Sequence, residues 1–180
     1  NCQFWFFIAT FDYKCYEFIQ RYYKKYNEIT LKREELTLDN VRQFYHVCKD
    51  PEDKIKFLED YLKVNAQSDR VIIFVNKKDY VIEIQRKLKE RGYRVHVLMG
   101  GETMDLNERD KTIEKFRKGE IQILITTNVL ARGYDEKLIK LVINFDIPIR
   151  RDPNFPGLEA DPEIYLQRIG RTGRFGSKGI

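Results

Sequence analysis

Val71-Ile72-Ile73-Phe74-Val75 places five apolar residues in a row. A run this short and this uniformly apolar marks a strand covered on both faces, because an exposed face would demand alternation with polar residues. Three further runs come later in the chain: Val95 to Leu98, Ile121 to Thr126 and Leu141 to Phe145. Between them apolar residues recur at helical spacing. Ile55, Leu58, Tyr61 and Leu62 form one stripe, and Tyr80, Val81, Ile84 and Leu88 a second that Gly92 stops; Ile113 and Phe116 anchor a third. Asp50-Pro51 and Asp161-Pro162 each pair an N-cap with proline at the first helical position, and the second helix ends near Gly170. Strand and helix thus alternate, which predicts an α/β fold whose parallel sheet carries helices on both faces. Such sheets bind ligands beyond the carboxyl ends of their strands. Asn76, Gly100-Gly101 and Thr127 stand at those ends.

The N-terminal stretch reads differently. Residues 4–8 are expected to be a buried strand, and Phe11, Cys15, Phe18, Ile19, Tyr22 and Tyr26 recur as the core face of a helix. Residues 31–40 shift to a charged, linker-like composition, which sets a boundary between 1–35 and 36–180. Val41 to Cys48 reads as another strand. At 180 residues the chain can bury one good core. Its net charge of +5 permits a polyanionic partner without demonstrating one. Cys2, Cys15 and Cys48 are odd in number and none has Cys-x-x-Cys spacing, so neither a disulfide framework nor a zinc site is expected. His46 and His96 alternate with apolar neighbours and read as strand residues; no metal site is expected. The run Phe4 to Ile8 is too short to span a membrane.

One segment carries chemistry: Gln167-Arg168-Ile169-Gly170-Arg171-Thr172-Gly173-Arg174-Phe175-Gly176. Three arginines stand three residues apart among glycines, with no acid between them. Arginine offers a planar, permanent charge that matches phosphate oxygens, and glycine lets backbone approach a ligand closely.

Together with Thr126-Thr127-Asn128-Val129-Leu130-Ala131-Arg132-Gly133-Tyr134-Asp135 and Val142-Ile143-Asn144-Phe145-Asp146-Ile147-Pro148, this segment resembles the second RecA-like domain of DEAD-box RNA helicases. The pieces occur in that family's order. Val71–Asn76 is similar to its motif IV, 121–135 to motif V and 167–174 to motif VI, and Glu108-Arg109 to the Arg motif after motif IV. Phe7-Ile8-Ala9-Thr10-Phe11 is similar to the Ser-Ala-Thr motif that closes the first such domain, so 1–35 reads as that domain's tail. The family's phosphate loop and Asp-Glu-Ala-Asp box do not occur in these residues, and the sequence stops at Gly179-Ile180, where the family has a closing strand, so that strand is expected to be missing. The chain therefore reads as a fragment of a larger protein. The insertion Ile149 to Asp161 resembles the branch of the family that serves mRNA export at the nuclear pore.

The resemblance implies a RecA-like three-layer α/β/α fold and a half-site for ATP. Asp135 would meet the ribose hydroxyls, with Gly133 clearing space, and Arg171 and Arg174 would reach the γ-phosphate as arginine fingers. Magnesium ligands would come from the first domain. Asn76, Gly101, Arg109, Thr127, Asn128 and Arg132 would touch RNA backbone without reading bases. Arg109 is also placed to form an ion pair on its own helix. Gln167 would link the nucleotide and RNA sites, and Arg168 would contact the first domain or pair with Asp161 or Glu163. Implied partners are RNA, the first RecA-like domain, and an export activator together with inositol hexakisphosphate; the implied setting is nucleus and cytoplasm, at the pore. Isolated, the domain is expected to lack ATPase activity.

Gln167 stands where the family carries histidine, and Ile8 where it carries serine. Both changes bear on coupling. They leave open a second reading, a module that clamps RNA or a partner without hydrolysis.

Overall fold

The computed structural model describes residues 2–7, 13–29, 40–65, 70–100, 104–128, 139–150, 158–173 and 177–180. Backbone contacts divide the chain into two compact units, 1–37 and 38–180.

In the first unit, helix α1 spans Tyr13–Tyr22. Ile19 is buried, whereas Phe18 and Tyr22 stay more than half exposed. Tyr26 lies beyond the helix end. Residues 2–7 are not a strand, because they find no pairing partner among the described residues. Phe4 and Phe6 instead pack on the Tyr23 ring at 5.5 and 5.4 Å.

The second unit is built on four parallel strands: β1 (Arg70–Phe74), β2 (Val95–Leu98), β3 (Ile123–Thr126) and β4 (Ile139–Asn144), in the order β2-β3-β1-β4. Helix α2 (Pro51–Asn65) precedes β1, α3 (Lys78–Glu90) joins β1 to β2, and α4 (Leu106–Lys118) joins β2 to β3. The pleat sorts β1 between two cores. Val71 and Ile73, with Val75 just beyond, face Ile55, Leu58 and Leu62 of α2 and Val81, Ile84 and Leu88 of α3. Ile72 and Phe74 face Phe116 of α4, with Leu98 and Leu124. Every residue from Val71 to Val75 is fully buried. The parallel sheet covered on both faces is as the apolar runs predict.

Caps fix where helices start. Asp50 Oδ1 accepts the Asp53 N–H at 2.8 Å while Asp53 Oδ2 accepts the Lys49 N–H at 3.0 Å, a reciprocal capping arrangement on α2. Asp161 Oδ1 accepts from the N–H groups of Glu163 and Ile164 at the start of α5 (Pro162–Ile169). Gly92 comes after α3 at φ 84°, the left-handed turn expected from its position.

Two expectations change. Val41 to Cys48 is not a strand: only Val41 makes a bridge, to Gly179, and residues 42–48 have no ladder beside them among the described residues. His46 instead stacks on Phe57 at 3.8 Å. The segment read simply as an insertion forms the two ends of an antiparallel ribbon, β5 (Ile149–Arg150) with β6 (Glu159–Ala160). At the C-terminal end, Ile180 exchanges backbone hydrogen bonds with Lys140 and Val142 of β4, and Gly179 with Asn40 and Arg42.

Candidate nucleotide and nucleic-acid interface

Strand register brings the candidate residues to one edge. Phe74 is level with Thr126 on one side and Asn144 on the other, and Leu98 is level with Thr126. Two more bonds continue the ladder, Val75 N–H to the Thr126 carbonyl and Phe145 N–H to the Phe74 carbonyl, each 2.9 Å. The strands therefore end flush. Beyond their ends Asn76, Thr127-Asn128 and Phe145-Asp146 converge.

Arg168 of α5 reaches into that convergence and is completely buried. Its Nε donates to Asn128 Oδ1 at 3.0 Å, and Nη1 to the Asp146 carbonyl at 2.9 Å and Asn144 Oδ1 at 3.3 Å. Nη2 donates to Asn76 Oδ1 at 2.8 Å and to Asn128 Oδ1 at 2.5 Å. The guanidinium lies over the Phe74 ring, 5.1 Å from its centroid. Burial pulls its pKa down to about 10, partly offset by the charges of Asp146 and Asp161. Arg168 is thus an internal hub. It forms no salt bridge with Asp161 or Glu163 among the described residues, because Asp161 caps α5 instead. Nor does its side chain reach outward for another domain.

The Asp146 carboxylate is itself held. Oδ1 accepts from Lys54 Nζ at 2.9 Å and Oδ2 from the Asn76 N–H at 2.9 Å. Lys54 also lies over the Phe145 ring at 4.8 Å. Asn76 also donates one Nδ2 hydrogen to the Ile147 carbonyl at 2.7 Å. Lys54, Asn144 and Asp146 are absent from the sequence-predicted set. The Asn-x-Asp spacing at the end of β4 was the available signal, since polar residues there can only face the ligand edge or each other.

Thr127 is half-buried and Asn128 exposed, both at the sheet's edge beside Asn76. Thr126 is buried, with its hydroxyl donating to the Leu98 carbonyl at 2.8 Å, which ties β3 to β2 just below. Arg109 sits in the first turn of α4, and its buried Nε has no hydrogen-bond partner among the described residues. No ion pair to Glu108 forms among them either. In α5 the Gln167 carbonyl accepts from Arg171 Nε at 3.0 Å. Arg171 is 9% exposed, so it is folded against the domain here and does not extend from it. Thr172 donates its hydroxyl to the Ile139 carbonyl at 2.8 Å. The α5 segment therefore runs the length of β4, from Asp146 past its carboxyl end to Ile139 at its start. Gly101, Arg132, Gly133, Asp135 and Arg174 lie outside the described residues, as does Ile8.

Residues 53–176 match the family model of the helicase conserved C-terminal domain. The chain is 42% identical over 174 residues to the ATP-dependent RNA helicase dbp5 of Aspergillus clavatus, an alignment covering 97% of this chain and 35% of that protein. It therefore spans about a third of the length of the curated relatives it matches. Among solved structures, Saccharomyces cerevisiae Dbp5 bound to RNA and ADP BeF3 superposes with a TM-score of 0.82 at 37% identity, over 96% of this chain and 42% of that one. A C-terminal domain of S. cerevisiae Dbp5 bound to Gle1 and IP6 superposes at 0.66 and 38% identity, over 78% and 74%. With a RecA-like parallel sheet in place, and with the family match covering well over half its length, the chain belongs to the helicase conserved C-terminal domain family.

Proposed function

We propose that this chain is the second RecA-like domain of an ATP-dependent RNA helicase serving mRNA export. The observation that carries the reading is the convergence of Asn76, Thr127 and Asn128 at one flush strand edge, with α5 laid along β4 beside it. Thr127 and Asn128, with Asn76, Gly101, Arg109 and Arg132, contact RNA phosphates and 2′-hydroxyls. Hydroxyl, amide and guanidinium groups suit those atoms and ignore base identity.

The nucleotide lies between this domain and the first. Asp135 takes the ribose, Gly133 gives it room, and Arg171 and Arg174 approach the γ-phosphate once the domains close. In that role the guanidinium groups stabilise charge developing on the transferred phosphoryl group, an effect worth about 10³–10⁵ in rate. Arg171 must then leave the Gln167 carbonyl, so closure and finger placement are one event. Gln167 sits where the RNA edge and the fingers meet along α5. Magnesium would balance the phosphate charge when bound, with its protein ligands supplied by the first domain. The likeness to Dbp5 bound to Gle1 and IP6 supports an activator protein with inositol hexakisphosphate as partners, and a setting at the nuclear pore.

The test mixes this chain with a first RecA-like domain of a dbp5 relative and monitors ATP hydrolysis with and without RNA. RNA-stimulated turnover is expected, with loss of about 10³-fold or more on Arg171→Ala or Arg174→Ala. Unchanged turnover in both variants sinks the finger assignment. Gln167 in place of histidine favours the second reading, a clamp without hydrolysis; RNA bound tightly in a reconstituted pair that never turns over ATP is its signature.

A further inference from the structure

Arg168 has the geometry of neither a ligand contact nor a surface ion pair. An arginine carries five N–H donors. Here the three nitrogens make five hydrogen bonds, to Asn76, Asn128 (twice), Asn144 and the Asp146 carbonyl. No donor is left for RNA or nucleotide, and no part of the side chain is exposed. Its acceptors come from the ends of three separate strands: β1 through Asn76, β3 through Asn128 and β4 through Asn144 and Asp146. Every one of those acceptors is uncharged, since the Asp146 carboxylate is engaged by Lys54 and the Asn76 N–H.

We propose that Arg168 is a positioning residue whose saturated guanidinium pins the ends of β1, β3 and β4 in the one arrangement that presents Asn76, Thr127 and Asn128 to RNA. The proposal rests on the RNA-binding reading above. Arginine is required because its planar fork spreads donors across three strands at once; a lysine ammonium keeps the charge but offers three donors from a single atom. Because the donor-only guanidinium turns Oδ1 of each asparagine inward, it also fixes the orientation of all three amides.

The test uses the full 180-residue chain at low ionic strength. Affinity for a fluorescent single-stranded oligouridylate is read by anisotropy, and the unfolding midpoint is read beside it. Asn128→Asp supplies a carboxylate to the buried charge, so Arg168→Lys is compared with Arg168→Lys/Asn128→Asp and with Asn128→Asp alone. The expected result is that the double variant regains the wild-type midpoint yet binds RNA about tenfold more weakly than Asn128→Asp, the scale of one charge-assisted hydrogen bond. RNA affinity that simply tracks the midpoint overturns the proposal and leaves Arg168 a stabilising residue. A second measurement needs no variant that might fail to fold. Titrating RNA into labelled wild-type chain should move the Thr127 and Asn128 backbone amide signals and give no intermolecular NOE to the Arg168 guanidinium protons; such an NOE would show direct contact and also overturns the proposal. A wild-type chain that binds no oligouridylate at all fails the RNA reading itself, which distinguishes the two.

Discussion

A buried guanidinium surrounded by neutral amides carries a desolvation cost that its hydrogen bonds must offset. Burial holds the Arg168 pKa at about 10, well below its ordinary value. A base whose folded pKa is lowered binds fewer protons folded than unfolded between those two values, so through this group stability rises with pH there and the cost persists at neutral pH. Asn128→Asp should relieve it. Hydrogen bonds to a charged acceptor exceed neutral ones by about 1 kcal/mol, so the unfolding free energy from denaturant titration is expected to rise by about that much; a fall would show that the amide cradle is already the better solvent for this charge. At the same scale, Arg168 was legible in the sequence only as one of three spaced arginines. Nothing in the spacing marks Arg168 as the arginine that bonds the strand ends, or shows that Arg171 too is folded against the domain. Asn76, Asn128 and Asn144 are 52 and 16 residues apart along the chain, so their common partner cannot be read from neighbours.

The elements were more legible, because each carries its own local signal. Caps at Asp50 and Asp161 and the stripes of α2 and α3 place those helices within a residue or two. Asp161→Ala should cost about 1 kcal/mol by removing both N-terminal hydrogen bonds of α5, measurable as a lower unfolding midpoint; no change would mean that tertiary packing alone fixes that helix start. The turn after α5 is constrained differently. Gly173 lies at φ 70°, and a Cβ there would meet Val41 Cγ2 at 2.5 Å. Gly173→Ala therefore combines backbone strain with overlap and should destabilise by about 2 kcal/mol or more, read in the same titration. This glycine serves the fold, joining the α5 turn to the segment at Val41; its spacing between two arginines suggested a ligand role. Strand expectations failed where pairing was needed and absent. Residues 4–7 and 42–48 have strand-like composition, but a strand exists only against a neighbour.

At the scale of the whole molecule, the proposed interface binds backbone phosphates and should respond to salt. Log affinity for a single strand should fall linearly with log salt, and Arg132→Ala should lower that slope by about 1 while weakening all sequences alike. A loss confined to one RNA sequence would instead indicate base readout. The sequence by itself determined the α/β class, the helix starts and the family, because apolar periodicity, caps and motif order are local or linear properties of the chain. Only the tertiary structure decided which polar residues act together. Parallel register ends β1, β3 and β4 at one level, and a single buried arginine can then bond residues that the chain holds far apart.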